Sequence, residues 1–211
     1  MKIALLGLGF MGATHLKALK NIPQAELVAV ASDDERLADC SAPRKYRDWR
    51  EAVAEPQAEA IDICLPTNLH APAAVAALNA GKHVLVEKPM ALDAVETDAI
   101  IEAARRSGRI LMVAQVLRFF PAYRVMADAV KSGRLGAVRA AMFRRRSATP
   151  AWGAWLADKR ASGGGIFDLM VHDVDMCLHL FGPPEAVSAT GYDDLSRGLD
   201  WIAAQFHYPG M

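Results

Sequence analysis

No surplus of charge of either sign marks this chain: 24 Lys and Arg stand against 24 Asp and Glu in 211 residues. With no global field, neither a nucleic acid nor an anionic membrane surface is indicated as a partner, and a small molecule is expected instead. Cysteine is scarce as well. Cys40, Cys64 and Cys177 show no CxxC or paired spacing, and the last two lie inside apolar runs, so they read as reduced core residues of a cytoplasmic protein. No apolar run reaches the length that spans a bilayer. The opening MKIALLGLGFMGA carries three glycines and no small-residue cleavage site, which argues against a secretory leader. Repeats beyond the βα unit and low-complexity tracts are absent too. What is present is a 53% hydrophobic composition, enough core for one large domain or two small ones.

The organising stretch is Lys82 to Met90, KHVLVEKPM. A strand of Val and Leu suits burial on both faces, and Pro89 donates nothing to a ladder, so pairing stops where Glu87 and Lys88 begin. In a parallel α/β sheet, ligands bind at the carboxyl ends of the strands. Lys88 is therefore either a ligand-facing cation or a solvated strand-end lysine paired with Glu87.

Strand character at Lys2 to Leu6 runs into Gly7-Leu8-Gly9-Phe10-Met11-Gly12 and then a helical stretch to about Lys20. This is GxGxxG between a strand and a helix: a tight turn at Gly7, close backbone approach to a pyrophosphate at Gly9, close helix packing at Gly12. A dinucleotide, NAD or NADP, is the expected cofactor, with Phe10 and Met11 inside its loop. The second strand, Leu27 to Ala31, ends on Ser32 where an acid for the ribose is usual; Asp33 and Asp34 follow, and Arg36 is close enough to pair with a 2′-phosphate. The choice between NAD and NADP stays open. The βα rhythm continues with a helix at Asp48 to Ala54, a strand at Ala60 to Leu65, a helix at His70 to Ala80, the strand ending at Val86, a helix at Asp93 to Arg106 and a strand at Ile110 to Val116. Thr67, Asn68 and His70, in the polar turn after the third strand, join Glu87 and Lys88 as cofactor-side candidates; helix capping is the alternative for Thr67 and Asn68.

Beyond Arg118 the pattern changes. Helical character at Pro121 to Lys131, strand character at Ala137 to Arg146, a loop or short helix with Trp152 and Trp155, and strand-like runs at Ala186 to Tyr192 and Leu199 to Tyr208 describe a second domain. The Arg144 to Arg146 triplet is a solvated strand end or an anion site. Between these elements Ser162-Gly163-Gly164-Gly165 precedes a helix from Ile166 to Phe181, apolar around most of its circumference and so expected to be buried. Asp168 and His172 are four apart, with Asp175 and His179 continuing the stripe. Three readings compete: a core histidine held by two carboxylates, a metal site through His172, Asp175 and His179, and a carboxylate-tuned acid or base.

These motifs, in this order, resemble the Gfo/Idh/MocA oxidoreductases, the glucose-fructose oxidoreductase and inositol dehydrogenase family. The resemblance rests on Gly7 to Gly12, Pro66 to His70 with Ala80 to Val84 leading into Glu87-Lys88-Pro89, and Gly163 to Asp175. It implies an α/β Rossmann domain with a doubly wound parallel sheet (residues 1–118) and an α+β substrate and oligomerisation domain on an open, mainly antiparallel sheet (residues 119–211). It also implies a catalytic trio at Lys88, Asp168 and His172 and hydride transfer to or from hydroxyl and carbonyl carbons of sugars and polyols; no metal is expected, since the stripe mixes spacings and no cysteine or His-Glu-x-x-His pattern supports one. Arg118, Trp152 and Trp155 are substrate-contact candidates, and a homo-oligomer is expected. Non-catalytic dinucleotide sensing and NAD-dependent glycoside cleavage are the competing activities on the same fold. The chain is shorter than usual for the family and stops midway through the second sheet, so a truncated product is expected.

Overall fold

The computed structural model describes residues 1–147, 154–164, 166–192 and 201–211. The chain forms two units: Met1–Ala114 with Ala151–Trp155, and Gln115–Pro150 with Leu156–Met211.

The first unit is built on six parallel strands, β1 (Lys2–Leu6), β2 (Glu26–Ala31), β3 (Arg44–Tyr46), β4 (Ala60–Ile63), β5 (His83–Val86) and β6 (Leu111–Val113), in the spatial order β3-β2-β1-β4-β5-β6. The order reverses between β1 and β4. That reversal opens a crevice at their carboxyl ends, which brings together the residues after Leu6 and after Ile63. Ala4 to Leu6 of β1 and all of β4 are buried, as their mainly Ala, Ile and Leu composition requires, with Asp62 the one charge among them.

Helix α1 (Phe10–Leu19) packs Met11 and Leu16 against Leu5, Val30 and Cys64. On the other face, α2 (Trp49–Val53), α3 (His70–Asn79) and α4 (Ala94–Ser107) enclose Leu6, Ile61, Ile63, Val84 and Val86. Alanines at 71, 73, 74 and 77, all buried, let α3 approach the sheet closely. Truncating a fully buried Ile61 or Ile63 to Ala costs about 2–5 kcal/mol through lost transfer energy and a residual cavity. Helix α4 starts at a reciprocal cap, with Asp93 accepting the Glu96 N–H at 2.8 Å and Glu96 accepting the Leu92 N–H at 3.0 Å. It ends on Gly108 at φ 65°.

In the second unit a 3-10 turn (Val116–Phe119) leads into α5 (Pro121–Lys131), with Pro121 at the helix start where its missing N–H costs nothing. Helix α6 (Lys159–Ser162), a π turn (Ile166–Met170), helix α7 (Val171–Phe181), and strands β7 (Ala186–Tyr192) and β8 (Trp201–His207) follow. The two strands form an antiparallel ribbon with Ala189 opposite Ala204.

Two expectations are corrected. Ala137 to Arg146 has no regular structure, since no strand among the described residues pairs with it and β propensity alone does not hold an unpaired strand. The run expected as one buried helix is a π turn followed by α7, in which Asp175 and Met176 are buried while most neighbours are half exposed.

Candidate active site

The crevice at the reversal point is shaped by glycine. Gly7 takes φ +94°, and a Cβ there would stand 2.5 Å from the Cys64 carbonyl oxygen. At Gly12 a Cβ would stand 2.0 Å from the Gly7 carbonyl oxygen, so α1 touches the loop it grows from. Gly9 is different: a Cβ would meet nothing within 4 Å. Nothing in the fold itself stands in the way of a side chain there, whereas a ligand laid on the backbone would. No side chain caps α1, which leaves the positive end of the helix to an anion. These features fit a dinucleotide pyrophosphate, with Phe10 exposed and Met11 half-buried beside it.

At the end of β2, Ser32 is buried, and its hydroxyl oxygen accepts the Leu8 N–H at 3.3 Å and the Asp34 N–H at 3.2 Å. Its observed task is to tie the glycine loop to β2. Asp34 caps the next 3-10 turn and holds the Arg36 guanidinium at 2.6 and 2.8 Å; this pairing keeps its carboxyl low, near 2. Asp33 is exposed.

After β4, Thr67 is buried and Asn68 exposed, and neither caps α3, which begins without a side-chain cap. His70 is fully buried, with Nδ1 2.7 Å from the Pro89 carbonyl oxygen and Nε2 2.8 Å from that of Leu65. Burial pushes its pKa down.

After β5, Glu87 turns inward rather than to solvent. One carboxylate oxygen lies 3.2 Å from His15 Nε2, and the other accepts the Lys88 N–H at 3.0 Å. His15 Nδ1 lies 2.9 and 3.0 Å from the two oxygens of Asp62, with Cys64 Sγ at 3.4 Å. The Asp62 carboxylate above all, then Cys64 and Glu87, raise the His15 pKa to about 12, so the ring is an imidazolium at neutral pH. Burial raises the Cys64 thiol to about 12 as well, so it is protonated and inert. Lys88 is half-buried.

In the second unit, Asp168 lies in the π turn and His172 in the first turn of α7, both half-buried. Gly163, at φ +75°, turns the chain into this segment; a Cβ there would be 2.7 Å from the Phe167 ring. The rest of the expected stripe is dispersed. Asp175 accepts a two-pronged contact from Arg118, Nε at 2.8 Å and Nη2 at 2.6 Å. Asp173 takes the same fork from Arg145 at 3.2 and 2.8 Å, which makes that arginine a structural partner rather than a solvated strand end. His179 Nε2 stands 3.1 Å from Lys131 Nζ. Arg118 is thus fixed by Asp175 rather than presented unengaged to a substrate. Trp155 is half-buried in the 3-10 turn Ala154–Ala157. Trp152 lies outside the described residues.

Residues 1–115 match the family model described as an oxidoreductase family with an NAD-binding Rossmann fold, and residues 123–211 match the C-terminal domain of the same family. The chain belongs to the Gfo/Idh/MocA oxidoreductase family. Gfo/Idh/MocA relatives include the myo-inositol 2-dehydrogenase of Thermotoga maritima, 30% identical over 90% of this chain and 58% of its own length. The levoglucosan dehydrogenase of Pseudarthrobacter phenanthrenivorans is 31% identical over 90% of this chain and 53% of its own. Among solved structures, the WlbA dehydrogenase of Bordetella pertussis, in complex with NADH and UDP-GlcNAcA, superposes with a TM-score of 0.86 and 26% identity, over 99% of this chain and 67% of that one. The chain spans little more than half the length of the two curated relatives. Its fold, a parallel Rossmann sheet followed by an antiparallel ribbon, is that of the Gfo/Idh/MocA neighbours.

Sequence reasoning found the glycine loop and the Glu87-Lys88-Pro89 turn but passed over His15 and Asp62. Both carried a signal: Asp62 is the one charge inside the apolar strand AIDI, and His15 sits three residues beyond Gly12 on the packed face of α1.

Proposed function

We propose that this protein is an NAD-dependent oxidoreductase that moves a hydride between the nicotinamide and a hydroxyl or carbonyl carbon of a sugar, polyol or related small molecule. The observation that carries the reading is Gly9, a backbone surface kept bare at the uncapped start of α1. The relatives' names supply the substrate class. Gly7 to Gly12 would hold the dinucleotide, whose nicotinamide would supply the hydride chemistry. Lys88 donates to the substrate oxygen and stabilises alkoxide character as it forms. His172 takes the hydroxyl proton during oxidation, and Asp168 holds the ring and favours its protonated form. The exposed carboxylate of Asp33, with Arg36 occupied by Asp34, favours an unphosphorylated ribose and therefore NAD over NADP.

The same reading makes residues 1–118 the cofactor domain and residues 119–211 the substrate domain. Its three cysteines are free thiols, which suits action in the cytoplasm, and the exposed Val187, Tyr192 and Trp201 of the ribbon suit a homo-oligomer. The test is a panel of polyols, aldoses and anhydrosugars assayed with NAD and NADP for reduced-nicotinamide absorbance. Turnover with none of them under either cofactor, by a protein that binds NADH, refutes the oxidoreductase reading.

A further inference from the structure

Three ionisable side chains of the first unit, His15, Asp62 and Glu87, are buried together and have no part in the proposed chemistry. Their side chains are 16%, 5% and 8% exposed. Burying charge is weak evidence for stability, because well-packed apolar residues of similar volume often hold a core as well or better. What a polar cluster adds is direction. Here the direction leads to residue 88 by two routes.

On one side, His15 of α1 is anchored by Asp62 of β4 and presents Nε2 to Glu87, whose second oxygen accepts the Lys88 N–H. On the other side, His70 of α3 spans the Pro89 and Leu65 carbonyl oxygens. The residues before and after Lys88 are therefore each met at hydrogen-bond distance by a histidine from a different helix, and each histidine lies in turn against β4 or the residues that follow it. A half-buried lysine on a turn held at both flanks has its backbone fixed, so the point from which its ammonium reaches is set by the fold.

We propose that His15, through Glu87, and His70, through the Pro89 carbonyl, are positioning residues that clamp the turn and set the place of the Lys88 ammonium. The proposal rests on the reading in which Lys88 acts on the substrate oxygen. Asp62 belongs to the same device as the anchor of His15.

The test uses the purified protein with His15→Gln and His70→Gln, read in two ways. The first is competitive acetylation by acetic anhydride, followed by mass spectrometry, with Lys17 and Lys45 as internal standards. The second is turnover on whichever of myo-inositol, levoglucosan and 1,5-anhydro-D-fructose the wild type uses. Each variant is expected to change Lys88 labelling about fivefold or more while the standards stay constant, and to lower kcat about ten- to a hundredfold with the NADH Kd within about threefold. In a Lys88→Ala background neither substitution lowers the residual rate further. Where His15→Gln does not fold, Glu87→Gln breaks the same tie at constant volume and is held to the same outcome. Lys88 labelling within twofold of wild type in the folded variants overturns the clamp, as does a full additional loss in the Lys88→Ala background. Should Lys88→Ala itself turn over normally, the role of Lys88 falls, and the labelling result alone still decides the clamp.

Discussion

Gly9 and Gly12 differ by three positions and by everything that matters to a methyl group. At Gly12, ordinary contact begins near 3.4 Å and the added Cβ would stand at 2.0 Å, so the Gly7 carbonyl and α1 must part by about 1.4 Å. Gly7 is itself pressed against the backbone of Cys64, so the helix has to yield. Overpacking of this kind costs about 1–3 kcal/mol, and a blocking atom that belongs to the backbone puts Gly12→Ala at the upper end. Moving the helix start by about an ångström from the bound phosphates weakens dinucleotide affinity, because the helix end and its free N–H groups no longer meet them. At Gly9 the free protein offers no obstacle and φ is −59°, so Gly9→Ala costs only an N-cap preference, within about 1 kcal/mol. Its methyl group nevertheless fills the space reserved for the pyrophosphate, and NADH affinity falls about tenfold or more. Urea unfolding and NADH fluorescence titration measure the two quantities separately. A Gly9→Ala variant that binds NADH as wild type does, or loses stability as Gly12→Ala does, refutes the assignment of that bare surface to the cofactor.

Lys88→Ala and His172→Ala are each expected to lower turnover by about two to four orders of magnitude with dinucleotide affinity within about tenfold; near wild-type turnover in either removes it from the chemistry. Asp33→Asn is expected to weaken NADH binding about tenfold, and Asp34→Ala to strengthen NADPH binding by releasing Arg36; an unchanged NADH to NADPH affinity ratio in both places the ribose elsewhere. For pH, the His15 pKa rises from 6.5 unfolded to about 12 folded, so its contribution is complete below about pH 6.5 and is lost as pH climbs toward 12. The stability gap between wild type and His15→Gln should therefore narrow between pH 6 and 9, by at most about 1.4 kcal/mol per unit above 6.5 and less after solvent screening. A gap constant over that range in urea titrations excludes a buried imidazolium.

Legibility in the sequence followed the origin of each element's stability. Strands β1, β2, β4 and β5 announce themselves through apolar runs because burial is what forms them. Strand β3, Arg-Lys-Tyr, escaped notice because polar contacts rather than apolar burial secure its side chains beside the β2 ladder: Arg44 and Tyr46 both donate to the buried Glu55, at 2.6 and 2.8 Å. The glycine loop was readable because a turn, a close approach and a helix start impose glycine at fixed spacing. The Asp168 to His179 stripe was only partly readable. An i, i+4 rule presumes an unbroken α-helix, and the π turn that carries Asp168 breaks that presumption, while Arg118 and Arg145 claim Asp175 and Asp173 from far along the sequence. For Ser32, sequence reasoning compared it with the usual ribose-binding acid, whereas burial turned its hydroxyl to the Leu8 and Asp34 amides.

The antiparallel ribbon has a consequence for how the chain breathes. Every residue of β7 is exposed, and β8 alternates exposed and half-buried, so among the described residues one backbone ladder and a few exposed side-chain contacts hold the two together. An amide there meets deuterium whenever one pair of strands parts, whereas an amide of β1 waits for a strand with neighbours on both sides to lift from a covered sheet. Hydrogen exchange on this chain is therefore biphasic by architecture, with the ribbon exchanging early and β1 and β4 last. Protection gained in β7 and β8 as protein concentration rises reports directly on whatever surface comes to cover them.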